Sequence, residues 1–550
     1  MIIGIDLDNT IIDYRNAFWH TALSTGIFTE KDKISFSNNH GQVPNKNEIK
    51  NRLILEEGGN YKWESLQGQV YGQYIHNAGI YPGVANFLLH SKVRGVKVYI
   101  ISHKTEFGHY DKSQTPLRKA ALNFLEQKDI LSGDYGIQEK DIFFFDTRRK
   151  KVNKVAELNC TYFIDDLPEI FREDNFPENT TEILFDIQSE HAMNYTFNSW
   201  RGINEFVFNR IKTSDIAAYI EKGVNKKVKS VQIMKGRGNS SVYKIEMNSG
   251  QEFAGKLYPD PTFDDRDRLE KESKACRFLH SYGIKSIPEH VWSDTNLNFG
   301  LFKWINGKEM VEITDDNVNR TAEFVTSLAK LSEHTNNKEF PLASAACISG
   351  QMIEQQIHNR YATVHGYTDL NSELRRFLEN DFAHTFEEIL SKSKKLWPGD
   401  FETNLDDDYQ LLSPSDFGFH NTLLTKDGIK FIDFEYFGWD DPVKLTCDFL
   451  LHPGMVLTNE RKNIWVRRTK EIFSDDNCFQ QRLSASYGLY GLCWCLIMLN
   501  VFLIDRQSEK NIMALEMSDI KAKKLEQLEK SKKMLIHLNE THKNSLPYYE

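Results

Sequence analysis

Over the first 210 residues, short runs rich in Ile, Val, Phe and Tyr recur between longer stretches of helical periodicity. The runs IIGIDL, KVYIIS, DIFFFD, TYFID and EILFD read as buried strands, and their alternation with helices predicts a parallel α/β sheet. From about residue 211 the pattern changes. A polar, Lys-rich helix, IAAYIEKGVNKKVKS, leads into VQIMKG, SVYKIEM and EFAGKLY, whose alternation and Gly/Asn turns predict an antiparallel meander. This shift places a domain boundary near residue 212, dividing the chain into 1–212 and 213–550. Beyond Leu269 the periodicity is helical, broken by a predicted strand pair in LLSPSDFGFHNTLLTKDGIKFIDFEYF.

Two apolar stretches need a reading. Tyr487 to Ile504 is just long enough to span a bilayer, but it holds Asn500 and two Gly and has no second span beside it, so a buried helix is expected. The terminal segment 517–545 shows apolar positions at helical spacing among many Lys and predicts a solvated amphipathic helix.

Composition narrows the class. The 550 residues carry 68 Lys+Arg against 78 Asp+Glu, a formal charge of −10, which lacks the basic footprint of a nucleic-acid binder. Seven Cys, an odd number at mostly wide spacings, predict neither a disulfide framework nor a four-ligand zinc site. The N-terminus has no basic region or cleavage site of a secretory signal, so a cytoplasmic protein without membrane attachment is expected. The sequence does not speak to oligomeric state.

The first candidate chemistry lies at the end of the first strand, where Asp6 and Asp8 are separated by one residue. In a parallel sheet ligands gather at the C-terminal strand ends. A carboxylate there can attack phosphorus, and a second can protonate the leaving oxygen and later activate water, which assigns Asp6 as nucleophile and Asp8 as acid/base. Ser102 ends another strand and can donate to a phosphoryl oxygen; Lys151 opens a helix and can neutralise both nucleophile and phosphate. Asp165 and Asp166 complete, with Asp6 and Asp8, an oxygen ligand set suited to Mg²⁺.

The order DLDNT, Ser102, Lys151 and FIDDLPE over nearly all of residues 1–210 resembles the haloacid dehalogenase superfamily of phosphatases. That resemblance implies a Rossmann-like core, one Mg²⁺, an aspartyl-phosphate intermediate and a small, mainly helical cap at about 15–80 that selects the substrate.

The second constellation begins in the meander. Gly236, Gly238, Asn239 and Ser240 form a turn whose backbone N–H groups can cover triphosphate oxygens, and Lys256, set in an apolar strand, needs an anionic partner, for which Glu272 is the candidate. Asp416 and Asn421 are five residues apart, and Asp433 follows twelve residues later. Phosphoryl transfer to a hydroxyl needs a carboxylate to orient and deprotonate the acceptor, here Asp416, and oxygen ligands for Mg²⁺, here Asn421 and Asp433. His420 is expected to pack in the loop.

SDFGFHNTLL and IDFEYFGWDDP resemble the catalytic and metal-binding segments of the aminoglycoside phosphotransferase and choline kinase family, over about residues 225–505, with Pro414 where that family carries a His. The resemblance implies a bilobal kinase-like domain, with an N-lobe at about 225–305 and a C-lobe at about 306–515, using ATP and Mg²⁺.

The expected protein is therefore an α/β bifunctional enzyme. A Mg²⁺-dependent phosphomonoester hydrolase is joined to an ATP-dependent kinase of a small-molecule hydroxyl. By analogy between families the acceptor would be a sugar, polyol or amino-alcohol, such as a surface-glycan precursor. Three other readings stay open: a kinase whose first domain only senses a phosphorylated ligand, a scaffold of two inactive folds, and an antibiotic phosphotransferase.

Overall fold

The structure, a computed structural model, describes all residues except 37–42, 111–112, 132, 189–190, 192, 210, 235–239, 262–263, 265, 337–338, 369–370, 504–513 and 544–550. The chain forms two compact units: Met1–Asp265 with Val291–Phe302, and Arg266–His290 with Lys303–Glu550.

The first unit is built on a six-stranded parallel sheet in the order Ile142–Phe145, Lys97–His103, Ile2–Ile5, Tyr162–Asp165, Thr181–Phe185, Thr196–Phe197. The first strand lies in the interior, with Ile5 opposite Ile100 on one side and Ile164 on the other. Its side chains Ile3 and Ile5 are fully buried, as strands covered on both faces require. Between the first strand and Lys97–His103 the chain makes a helical insertion, Ala17–Ser24, Lys46–Ile54 and Gly59–Tyr71, closed by the short pair Ile12–Asp13 and Gly79–Ile80.

The meander is present as predicted: Val228–Ile233, Ser241–Met247 and Glu252–Leu257 pair antiparallel and extend through Phe299–Lys303 and His290–Asp294 into a five-stranded sheet. The compact units do not divide at residue 212, however. One continuous apolar core runs from Ile3 and Ile5 through Trp200 and Tyr219 to Ile245, Phe253 and Phe299. Tyr219 joins the two sheets by polar contacts as well: its hydroxyl meets His90 Nε2 at 2.7 Å and accepts from Asn86 Nδ2 at 2.8 Å, while Asn86 also donates to the Leu297 carbonyl at 3.0 Å. The helix Thr213–Val224 belongs to the stretch read as polar in sequence, but its Ile216, Tyr219 and Ile220 make it core. Gly223 lets it approach closely, since a Cβ there would come within 2.2 Å of the Trp292 ring.

The second unit is mainly helical. Phe479–Met498 forms its centre, with 15 of 20 residues buried, and packs with Gly350–His365, Ala383–Leu396, Pro442–Leu451 and Ala514–Lys543. This is the one helix among the described residues long and apolar enough to cross a membrane, and its burial here matches the expected core helix. The terminal helix is less solvated than expected: Leu528, Leu535 and Leu538 are buried, and Leu538 fills the space over Gly491. Small strands frame the loop that carries Asp416: Leu411–Ser413 pairs with Gly438–Asp440, and Thr422–Thr425 with Gly428–Phe431.

Candidate active sites

In the first unit the strand ends converge on Lys151. Its ammonium donates to Asp6 Oδ1 at 2.5 Å and to Asp165 Oδ2 at 2.6 Å. Asp6 directly follows the first strand, its N–H bonded to the Ile164 carbonyl, and Asp165 ends the neighbouring strand, so sheet register alone aligns the two carboxylates. Lys151 reaches them from the first turns of Arg148–Glu157, whose N-cap Thr147 accepts from Lys150 N–H. All three side chains are at most 7% exposed. A buried charge of this kind is tolerated only when paired.

Asp6, Asp165 and Asp166 bring carboxylate oxygens within 4.8 Å of one another. Burial, with Lys151 opposing it and Asp165 and Asp8 adding repulsion, pushes the Asp6 carboxyl up to about 7. Burial together with Asp165 and Asp6 drives Asp166 well above its usual range. Three crowded carboxylates relieve their repulsion by taking up a proton or a divalent cation, and an all-oxygen set suits Mg²⁺. The residues fit that ion. Ser102 lies on the strand beside the first, and its Oγ is buried with no hydrogen-bond partner among the described residues, as expected of a donor waiting for a ligand oxygen.

Asp8 behaves differently from the expectation that it joins the metal set. Both of its oxygens accept from Lys104 Nζ, at 2.8 and 2.7 Å, and Oδ1 also accepts from the Tyr14 hydroxyl at 2.9 Å. With Asp8 held by the buried ammonium of Lys104, the carboxylates gathered within 4.8 Å are Asp6, Asp165 and Asp166. Lys104 and Tyr14 carry no motif in the sequence. The one signal was position, since Lys104 stands two residues beyond Ser102, at the same strand end.

In the second unit Asp416 follows the strand Leu411–Ser413 across Ser415, which adopts φ 68° and is held through its Oγ by Lys444 at 3.2 Å. Asp416 Oδ1 meets His420 Nε2 at 3.0 Å, and Asn421 Nδ2 donates to the Asp416 carbonyl and to Oδ2, at 3.0 and 3.3 Å. The pair predicted from spacing is thus in direct contact. His420 does more than pack: against the pull of burial, its hydrogen bond and charge hold the Asp416 carboxyl below the usual range. Its ring stacks on His452 with centroids 3.7 Å apart, and burial, then His420, lowers His452 to about 4.

Asp433 is tied to the same loop, since Ile432 N–H bonds the Asn421 carbonyl at 2.9 Å. It takes φ 72°, and Glu272, Asp433 and Glu435 gather oxygens within 4.8 Å. Glu272 accepts from Phe434 N–H at 3.3 Å, and Glu435 is paired with Arg268, which also donates to the Tyr436 hydroxyl at 2.9 Å. Sequence reasoning missed Glu435 and Arg268. Three carboxylates gathered this closely again fit a divalent cation. Lys256 and Ser240 belong to the first unit: Lys256 lies in Glu252–Leu257 with its ammonium 5.0 Å from the Tyr258 ring, and Ser240 is buried just ahead of Ser241–Met247. Gly236, Gly238 and Asn239 fall outside the described residues.

No protein-family model and no curated protein sequence matches the chain. Among solved structures it is similar to spectinomycin phosphotransferase APH(9)-Ia in complex with ADP and spectinomycin, at 13% identity and a TM-score of 0.42 over 60% of this chain and 99% of that one. It is similar as well to amicoumacin kinase hAmiN (11%, 0.40, 59% and 96%) and to choline kinase LicA from Streptococcus pneumoniae (13%, 0.38, 58% and 98%).

Proposed function

We propose that the chain is a bifunctional phosphoryl-transfer enzyme, hydrolysing a phosphomonoester in its first unit and phosphorylating a small-molecule hydroxyl from ATP in its second. The observation that carries the hydrolase is the Asp6–Lys151–Asp165 bridge beside Asp166 at the C-terminal edge of a parallel sheet. Asp6, Asp165 and Asp166 would hold one Mg²⁺, which when bound offsets the repulsion between nucleophile and phosphate. Asp6 attacks phosphorus and the ester oxygen leaves, taking a proton from Asp8; Asp8 then takes a proton from the water that cleaves the aspartyl-phosphate, releasing phosphate and free Asp6. Lys151 fixes the Asp6 carboxylate, and Ser102 Oγ is free to donate to the phosphoryl group. This is the chemistry of the haloacid dehalogenase phosphatases.

The kinase reading is supported by the contact of Asn421 with Asp416 and by the acids gathered at Asp433. Asp416 accepts the proton of the acceptor hydroxyl as its oxygen attacks the γ-phosphorus of ATP and ADP leaves. Asn421 and Asp433, with Glu272 in reach of Asp433, would hold Mg²⁺. Gly236, Gly238, Asn239, Ser240 and Lys256 are the residues that the sequence offers as nucleotide contacts. The acceptor class is a sugar, polyol or amino-alcohol.

A second reading, in which the first unit senses a phosphorylated ligand without turning it over, is favoured by the two hydrogen bonds from Lys104 that occupy Asp8. The full chain, assayed with ATP, Mg²⁺ and a metabolite panel, separates the two. Loss of phosphate release in Asp6→Asn and of ADP formation in Asp416→Asn is expected; phosphate release unaffected by Asp6→Asn would remove the hydrolase.

A further inference from the structure

The helical insertion brings a second cation to the Asp8 side of the first site. Lys46, the first residue of Lys46–Ile54, donates to the Tyr71 hydroxyl at 3.1 Å, and its ammonium stands 5.4 Å from the Phe18 ring. Lys104 approaches the same tyrosine from the sheet side, 5.0 Å from its ring. Tyr14 packs edge-on against Tyr71 at 4.7 Å and bonds Asp8. Lys151 is matched by Asp6 and Asp165, and Lys104 by Asp8. Lys46 is half-buried among aromatic rings, and the described residues give it no carboxylate within ion-pair distance. The Tyr71 oxygen, with Asp166 and Asp8 behind it, nonetheless holds it above the usual lysine range. On this side Lys46 and Lys104 both stand at Tyr71, and of the two only Lys104 has a carboxylate within ion-pair distance among the described residues.

Resting on the hydrolase reading, in which Asp8 protonates the leaving oxygen, the groups around Asp8 on the insertion side face the part of the substrate beyond that oxygen. We propose that Lys46 and Lys104, both seated on Tyr71, form an anion subsite for the leaving group. The substrate class is then a phosphomonoester whose alcohol carries a second negative group, a carboxylate or another phosphate. An alcohol carrying an ammonium meets two like charges and is rejected, and a neutral polyol leaves Lys46 without a counter-ion.

The test uses the full-length protein with Mg²⁺ and three small esters of similar size: 3-phosphoglycerate, glycerol 3-phosphate and O-phosphoethanolamine. A fructose 1,6-bisphosphate and fructose 6-phosphate pair distinguishes phosphate from carboxylate as the second anion. The expected result is kcat/KM at least about tenfold higher for the anionic member of one or both pairs, residing mainly in KM, with phosphoethanolamine poorest. In Lys46→Gln the anionic-to-neutral ratio falls to within about twofold of one, and Lys46→Arg restores it. Equal kcat/KM across both pairs in the wild type, or a ratio unchanged in Lys46→Gln, overturns the subsite. If the wild type hydrolyses none of the esters, the hydrolase reading fails, and calorimetric affinities for the same pairs still decide the subsite. Tighter binding of the anionic members in the wild type but not in Lys46→Gln supports it, and equal binding rejects it.

Discussion

Lys104 donates to both carboxylate oxygens of Asp8, and the pair links the loop after the first strand to the residue that follows the strand carrying Ser102. Lys104 is nearly buried while Asp8 keeps partial exposure, so the bond is neither a surface ion pair nor a fully dry one. In Lys104→Ala the carboxylate loses the one cation within ion-pair distance among the described residues. The expected loss of stability is about 2 kcal/mol, toward the low side of broken buried pairs because water can reach Asp8. Urea unfolding of the two proteins measures it; a change within experimental scatter would show that the pair contributes nothing net.

Lys151 is the counter-charge of two buried acids. Without added metal, Lys151→Met leaves Asp6, Asp165 and Asp166 to repel one another and should lose about 3 kcal/mol. Millimolar Mg²⁺ then compensates, so the melting temperature of the variant rises more on Mg²⁺ addition than that of the wild type. An equal rise in both proteins would argue that no divalent cation sits among these three acids.

Asp416→Asn keeps shape and the contact with Asn421 but removes the base. ATP-dependent phosphorylation should fall by about 10²- to 10⁴-fold while ATP affinity measured by calorimetry stays within a few-fold. Loss of ATP binding instead would move Asp416 from the chemistry to nucleotide binding.

His452 gives a pH signature. Its folded value of about 4 lies below the 6.5 of an unperturbed histidine, so the native state refuses a proton that the unfolded chain accepts. Stability from this group is therefore full above about pH 7 and declines as pH falls from about 6.5 toward 4, by at most about 3 kcal/mol. In His452→Gln the decline between pH 7 and pH 5 should be visibly shallower than in the wild type. Parallel curves would mean that another group dominates.

The elements that position the sites were legible because they are periodic and local. Five apolar runs became five parallel strands, Asn421 meets Asp416 through its side chain, and Ile432, next to Asp433, bonds the Asn421 carbonyl. Lys104, Tyr14, Lys46 and Glu435 were not legible. Lys46 and Tyr71 meet across twenty-five residues, and Lys104 and Asp8 across ninety-six, so only the folded insertion and sheet order unite them. His420 was read as packing because its neighbour in space, His452, lies on a different segment. Composition marks where the chain turns polar, near residue 212, while apolar contact continues past that point through Tyr219 and Phe299.

The shared core around Tyr219 has a bearing on how such a gene can be rearranged. A recombination event that cut after residue 212 would separate the parallel sheet from the helix whose Ile216, Tyr219 and Ile220 cover it, leaving raw apolar surface on both products. Neither product inherits a finished module, so the parallel sheet and the antiparallel one are expected to travel as a single heritable piece.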